Sequence, residues 1–457
     1  MKPSRPDPAS PLRHSVALDC PWVEPLAALA PWAGEDHVLL LASDGGPRGR
    51  WSLLARRPDR ADTLRPGDPR RPEALLRELL REARLAPAEG PGPGVAGLAA
   101  YELGARFEPL ELPRDPDWPD LTLARYPAVV VFDHHARTVR AVAAGADDDE
   151  ARARAAAAAR WLQPAAAPQS RPGVLAADFA AEAPAEAFEA AVADVVARIG
   201  AGELFQANLA QAWRGRLTGG VDPFDVFARL VRQSPAPFAA YWRLPGRALV
   251  SHSPERFLRL DAARGMVEAR PIKGTRPRGR DAAEDGALAA ELLASAKDRA
   301  ENLMIVDLMR NDLSRVCAPG SVTAPELLAL EAYPQVHHLV SSVTGRLAPG
   351  RDAADLLAAT FPPGSITGAP KVQAMKVIAG HERPRGPWCG SLFHAGLDGS
   401  LDSSVLIRTA AFVADGDGWR FRALAGAGIV ADSDPAAERQ ETEAKIAGLR
   451  RALTEAE

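Results

Sequence analysis

The stretch Pro271-Ile272-Lys273-Gly274-Thr275-Arg276-Pro277-Arg278 places one lysine between a proline and a glycine, then a hydroxyl and two arginines. Proline fixes φ, and glycine permits backbone angles closed to other residues, so the segment can hold an amine at one point in space. Arg276 and Arg278 add positive potential, and a neighbouring cation lowers the pKa of an amine. A lysine that is partly neutral can act as a nucleophile. The alternative is a surface loop of solvated basic residues, and the octapeptide alone leaves both readings open.

Length and composition bound the rest. The 457 residues suffice for two or three average domains, or one large domain with a smaller lobe. Hydrophobic residues at 47% and charged residues at 25% are ordinary for a globular protein. A net charge of −4 argues against nucleic acid as partner. No apolar run is long enough to span a membrane, and Met1 to Arg13 lacks the apolar stretch of a secretory signal. The three cysteines, Cys20, Cys317 and Cys389, have no metal-ligand spacing and cannot all pair, so a reducing cytoplasm is the expected location.

Working outward in order, residues 1–15 read as a flexible tail. Val38–Leu41, Trp51–Leu54, Val95–Ala100 and Tyr126–Phe132 read as strands, and Pro72–Arg84 and Asp147–Leu162 as helices. Residues 166–184 are rich in proline and alanine and read as a linker between an N-terminal region (1–165) and a main body (185–457). Ala185–Ile199 carries Phe188, Val192, Val195, Val196 and Ile199 on one helical face. Leu204–Gln211 alternates apolar with amide side chains, as a strand does. Asp222 and Pro223 open a short helix, and Phe238–Arg243 and Ala248–Ser251 read as further strands.

Two helical stretches each carry an acidic pair three residues apart. These are Asp298 with Glu301, and Glu438 with Glu441 followed by Lys445. Such pairs share a helix face and could meet around a hard divalent cation such as Mg²⁺, which prefers carboxylate oxygens. Solvated helix faces carry similar pairs, so each alone decides nothing. Phe361–Lys371 reads as a loop opening a helix, with Thr367 and Lys371 beside free backbone N–H groups that favour an anion. Gly426-Ala427-Gly428 is a second glycine stretch of this kind, and Leu406–Thr409 reads as a strand carrying Arg408, a residue suited to carboxylate capture.

Taken together and in this order, these pieces resemble the chorismate-utilising enzymes, and within them the aminodeoxychorismate synthase component I branch. The matching stretches are Gly202–Gln211, Ser253–Phe257, Pro271–Arg278, Lys297–Arg315, His337–Ser342, Phe361–Lys371, Cys389–Ser391, Ile407–Thr409 and Gly426–Lys445, with Tyr101–Glu108 in the N-terminal region. The resemblance implies an α+β fold: a two-lobed sandwich of antiparallel β-sheets with outer helices and a site between the sheets. Within the family, anthranilate synthases carry alanine where Lys273 stands. Isochorismate and salicylate synthases carry a small residue there and a lysine where this chain has Gln206. Lys273 with Gln206 therefore points to an ammonia nucleophile.

The implied chemistry assigns each residue a place. Mg²⁺ would be held by Glu301, Glu438 and Glu441, with Asp298 in outer support, and would bind the ring carboxylate of chorismate. Arg408 and the N–H groups of Gly426, Ala427 and Gly428 would hold the enolpyruvyl carboxylate. Lys273 would attack C2 as covalent nucleophile while Glu255, as general acid, protonates the departing C4 hydroxyl. Gln206, Thr275, His338, Thr367, Lys371 and Lys445 complete the expected substrate site. No cysteine sits in a glutaminase-like elbow, so ammonia is expected from a glutamine amidotransferase subunit. Two residues depart from the family: Asp298 stands where many relatives have glutamate, and Trp388 where a tyrosine is usual. An anthranilate synthase component and a non-catalytic metabolite-binding homologue remain as alternatives.

Overall fold

The computed structural model describes residues 12–81, 85–162, 171–333 and 336–456. Two antiparallel sheets dominate it. Among the described residues the first has twelve strands; its path is His14–Cys20, Thr138–Gly145, Ala128–Asp133, Trp51–Ala55, Leu39–Ala42, Phe238–Leu244, Arg247–Ser253, Thr409–Asp415, Gly418–Ile429, Gln206–Arg216 and Gly368–Ala369. The second has ten; its path is Ile272–Pro277, Val336–Arg346, Met266–Ala269, Arg256–Asp261, Leu401–Val405, Ser391–Gly396, Gly94–Ala99, Leu121–Tyr126 and Arg60–Leu64.

The apolar alternation explains the layering. In Phe238–Leu244, Tyr241 points to the helices outside the first sheet, while Trp242 points to the second sheet. Trp242, Leu39, Val129 and Val131 of the first sheet meet Ala96, Leu98, Tyr126 and Leu392 of the second in one core. Outer helices cover the other faces: Asp148–Ala159, Pro223–Gln233 and Pro435–Thr454 on the first sheet, and Pro72–Arg81, Ala296–Ser314 and Ala353–Thr360 on the second. This is the expected α+β sandwich. Strands from before and after the 166–184 stretch join within both sheets, Leu39–Ala42 against Phe238–Leu244 and Gly94–Ala99 against Ser391–Gly396. Residues 166–170 of that stretch lie outside the described residues.

Three sequence expectations are corrected. Residues 14 and 15 belong to a strand, His14–Cys20, paired with Thr138–Gly145; Val16, Leu18 and Cys20 turn inward on alternate positions, a pattern blurred by the exposed Ala17 between them. Residues 1–11 of the expected tail lie outside the described residues. The expected single strand 126–132 is two, one in each sheet. Pro127 lacks an N–H and cannot continue a ladder, so the chain crosses there from Leu121–Tyr126 to Ala128–Asp133. The glycines at 426 and 428 lie in the strand Gly418–Ile429 and not in a loop. Among the described residues no helix is long and apolar enough to cross a membrane.

Candidate active site

Two crossings between the sheets build one corner of the site. The chain leaves the first sheet at Ser253 and enters the second at Arg256, so Pro254 and Glu255 span the gap. It returns between Val405 and Thr409, which puts Arg408 in a connection with φ +50° and not in the expected strand. A residue at such a crossing is freed from the ladder and can turn its side chain between the layers. A cavity of about 550 Å³ opens beside both crossings. The edge strand Ile272–Pro277, the first turns of Ala296–Ser314 and Pro435–Thr454, and the last residues of Gly418–Ile429 form its other walls.

Lys273 and Glu255 both line this cavity. Burial pushes the Lys273 amine below its ordinary value, assisted by the Lys445 ammonium and opposed by Glu301, Glu255 and Glu441. The Lys273 residue is only partly buried, open to the cavity. Arg276 and Arg278, the expected source of that lowering, are spoken for: Arg276 bonds Glu291 at 2.8 Å and Asp298 at 3.3 Å, and Arg278 bonds Asp285 at 2.7 Å. Burial pushes the Glu255 carboxyl up to about 7, against hydrogen bonds from the Ser365 hydroxyl (2.7 Å) and the Ile272 backbone and the nearby Lys273 charge. A carboxyl near neutrality can give and take a proton at working pH. Gly274 lets the strand turn behind Lys273: its φ is +85°, and a Cβ would lie 2.9 Å from Leu292 and 3.0 Å from Asp298.

The acidic residues converge as the helix spacing requires. Ser295 caps the N-terminus of Ala296–Ser314, and Asp434 that of Pro435–Thr454; Asp298 and Glu438 stand in the first turns and Glu301 and Glu441 one turn on, all lining the cavity. Burial raises the Glu301 and Glu438 carboxyls, and Asp298 and Glu441 add like-charge repulsion. Burial acts to raise Glu441, but it is lowered overall, because Lys445, with Lys273 and Lys297, favours its charged form. Lys445 bonds Glu441 at 2.6 Å and Lys297 lies 3.8 Å from Glu438. With ammonium groups among them, no three acidic, histidine or cysteine side chains among the described residues stand close enough to grip a metal ion. The donor set nevertheless fits a hard dication: all the donors are carboxylate oxygens, and charges raised in energy by burial would be stabilised by it.

The remaining expected residues divide. Thr275 and His338 line the cavity and share a 2.9 Å hydrogen bond through His338 Nδ1; burial and Arg408 push the imidazole down to about 4, so it is neutral. Gly426 and Gly428 line it beyond Ala423, the last residue paired with Thr409–Asp415, so that strand edge is open there. A Cβ at Gly428 would lie 2.2 Å from Gln206 Nε2 and 3.4 Å from Lys273 Nζ. Gln206 itself lies beneath that floor, 1% exposed, with Oε1 lacking a hydrogen-bond partner among the described residues.

Three residues turn away from the cavity. The Ala427 side chain is buried with Val192 and Ile378 on the opposite face of the sheet. Thr367 donates to the Pro363 carbonyl at 2.8 Å, and Lys371 donates to Asp312 and to the Thr360 carbonyl, each at 2.6 Å. These last two fasten the 361–371 segment, which is a short 3₁₀ turn, a two-residue strand and the start of helix Lys371–His381. Sequence reasoning missed Ser365 and Lys297. Both lie inside quoted motifs, and the position of Lys297 directly before the Asp298 pair was the available signal.

A family model described as chorismate binding enzyme matches residues 42–451. Aminodeoxychorismate synthase component 1 of Klebsiella aerogenes is 42% identical over 384 residues, 82% of this chain and 81% of that protein. Anthranilate synthase component 1 of Aeropyrum pernix is 37% identical over 469 residues, 99% of this chain and 98% of that protein. The crystal structure of anthranilate synthase component I from Streptococcus pneumoniae superposes with TM-score 0.78 at 28% identity, covering 94% of this chain and 98% of that one. A menaquinone-specific isochorismate synthase from Escherichia coli shares the fold, with TM-score 0.75 at 20% identity over 99% of this chain and 97% of that one.

Proposed function

Since the chain belongs to the chorismate-binding enzyme family, we propose that it is the chorismate-binding component of an aminodeoxychorismate synthase, converting chorismate and ammonia to 4-amino-4-deoxychorismate for p-aminobenzoate and folate synthesis. The observation that carries this reading is the Lys273 amine, lowered by burial and set in one cavity with a carboxyl near neutrality. An anthranilate synthase needs no amine at that position.

Charge balance supports a dication. Lys273 and Glu255 offset each other whether both are neutral or both are charged, and the four cavity carboxylates Asp298, Glu301, Glu438 and Glu441 are matched by the cations Arg276, Lys297, Arg408 and Lys445. Chorismate brings two carboxylates into this neutral volume, and desolvating them without compensation would be costly. Mg²⁺ held by Glu301, Glu438 and Glu441, with Asp298 in outer support, would supply the missing charge and withdraw electron density from the ring through its carboxylate.

The chain's own residues then divide the work. Arg408 and the open strand edge at Gly426 and Gly428 receive the enolpyruvyl carboxylate. The neutral Lys273 amine forms a bond to C2 as the ring double bond shifts and the C4–O bond breaks. Glu255 gives its proton to the departing oxygen, which leaves as water. The amine on C2 sheds its extra proton. Ammonia next bonds C4, the double bond shifts back, and the C2–N bond breaks. Glu255, now a carboxylate, accepts a proton from the new C4 ammonium, and Lys273 takes one up as it leaves. Ammonia comes from a glutamine amidotransferase partner or from ammonium at high concentration.

The test is the product. Incubation with chorismate, Mg²⁺ and ammonium is expected to give material that an added lyase converts to p-aminobenzoate. Anthranilate fluorescence without that lyase would overturn this reading in favour of the anthranilate synthases, to which the chain is also similar over nearly its whole length.

A further inference from the structure

Lys297 stands at the cavity wall among the acidic helices, its side chain 48% exposed and Nζ 3.8 Å from Glu438 Oε1. It is one of three lysine side chains, with Lys273 and Lys445, set among Glu301, Glu438 and Glu441. The three are held differently. Lys445 makes two short bonds, to Glu441 (2.6 Å) and to the Gly426 carbonyl (2.9 Å), so it is tied to the floor. Lys273 is on a strand. Lys297 has one long ion pair and a flexible four-carbon stem. A dication entering among these carboxylates repels the ammonium groups beside them, and Lys297 is the one free to leave. Once released it is an unpaired cation at the cavity that a dianion enters.

We propose that Lys297 is a latch with two partners: it holds Glu438 in the metal-free protein, and turns to a carboxylate of chorismate once a divalent cation has displaced it. The inference rests on the chorismate reading above. It makes Lys297 a substrate-positioning residue and sets an order, metal before substrate. It also predicts opposite effects of one substitution, which a merely structural lysine would not produce.

The experiment compares the parent with Lys297→Gln and Lys297→Arg. Mg²⁺ is titrated calorimetrically without chorismate, and KM for chorismate is measured at saturating Mg²⁺. Lys297→Gln is expected to bind Mg²⁺ about two- to fivefold more tightly, the size of a half-exposed ion pair, with loss of like-charge repulsion acting in the same direction. Its KM for chorismate is expected to rise about tenfold, with kcat falling less than KM rises. Lys297→Arg keeps the cation and should stay within about twofold of the parent in Mg²⁺ affinity. Unchanged or weaker Mg²⁺ binding by Lys297→Gln, or an unchanged KM, would overturn the latch. Absence of turnover by the parent would overturn the enzyme reading and the substrate half of the latch, while the isotherms still decide the metal half.

Discussion

Replacing Glu255 by glutamine should change stability and activity in ways that follow from one quantity. The carboxyl is 5% exposed and its pKa is pushed from 4.5 up to about 7, chiefly by burial. At about 1.36 kcal/mol per pH unit this corresponds to roughly 3 kcal/mol as an upper value. The sign is set by proton uptake: between pH 4.5 and about 7 the folded chain holds this proton and the unfolded chain has lost it, so stability falls as pH rises through that window. Above it the ionised carboxylate opposes folding by the full amount. Glutamine is neutral at every pH. The unfolding free energy of Glu255→Gln minus that of the parent should therefore rise by up to about 3 kcal/mol between pH 4.5 and 7.5 and then level off. Urea denaturation across that range, with the same slope for both proteins, measures it. Activity should move the other way, falling about 10²- to 10⁴-fold with loss of the proton donor. A stability difference independent of pH would refute the buried, raised carboxyl, and near-normal turnover would refute its role as acid.

Three further outcomes follow from the same geometry. Glu301→Gln should abolish Mg²⁺-dependent turnover and weaken Mg²⁺ binding measured by calorimetry; an unaltered titration would remove Glu301 from the metal site. Gly428→Ala would set a methyl 2.2 Å from the buried Gln206 amide and 3.4 Å from the Lys273 amine, so kcat/KM should fall on the order of 10²-fold from misplaced reacting groups. Full activity would show that this floor can shift. Lys371→Met leaves Asp312 as a buried charge without its partner, which should cost about 3–5 kcal/mol in urea denaturation; a loss below about 1 kcal/mol would contradict a structural role for the pair.

What the sequence disclosed was local chemistry in a fixed order, and what it concealed was which sheet each piece enters. Helix spacing alone aligned Asp298 with Glu301 and Glu438 with Glu441, and the structure turns both pairs to one cavity. Periodicity cannot show that Pro127, Pro254–Glu255 and Leu406–Arg408 are crossings between layers, because each reads locally as a continued strand or a loop. For that reason Arg408 reads as a strand residue, whereas Gly426–Gly428 reads as a loop because glycine carries no strand signal, although the strand Gly418–Ile429 runs through it. Thr367 and Lys371 sit in a motif rich in ligand-like residues, yet their partners, Pro363 and Asp312, are inside the protein. Lys371 pairs with a residue 59 positions away, which no window of sequence reveals. The sequence neighbours of Lys273 suggest Arg276 and Arg278 as the depressing cations, whereas burial and Lys445 on the helix Pro435–Thr454 do the lowering.

The proposed reaction requires the Lys273 amine to act as a nucleophile, and the covalent adduct is the most direct test of it. The protein, incubated with chorismate and Mg²⁺ without ammonia, is quenched in acid and its peptides are weighed. The peptide containing Lys273 is expected to gain the mass of chorismate less one water, and ammonium added before quenching is expected to discharge it to product. A peptide without added mass, together with a Lys273→Ala variant that forms product at the parent's rate, would contradict it.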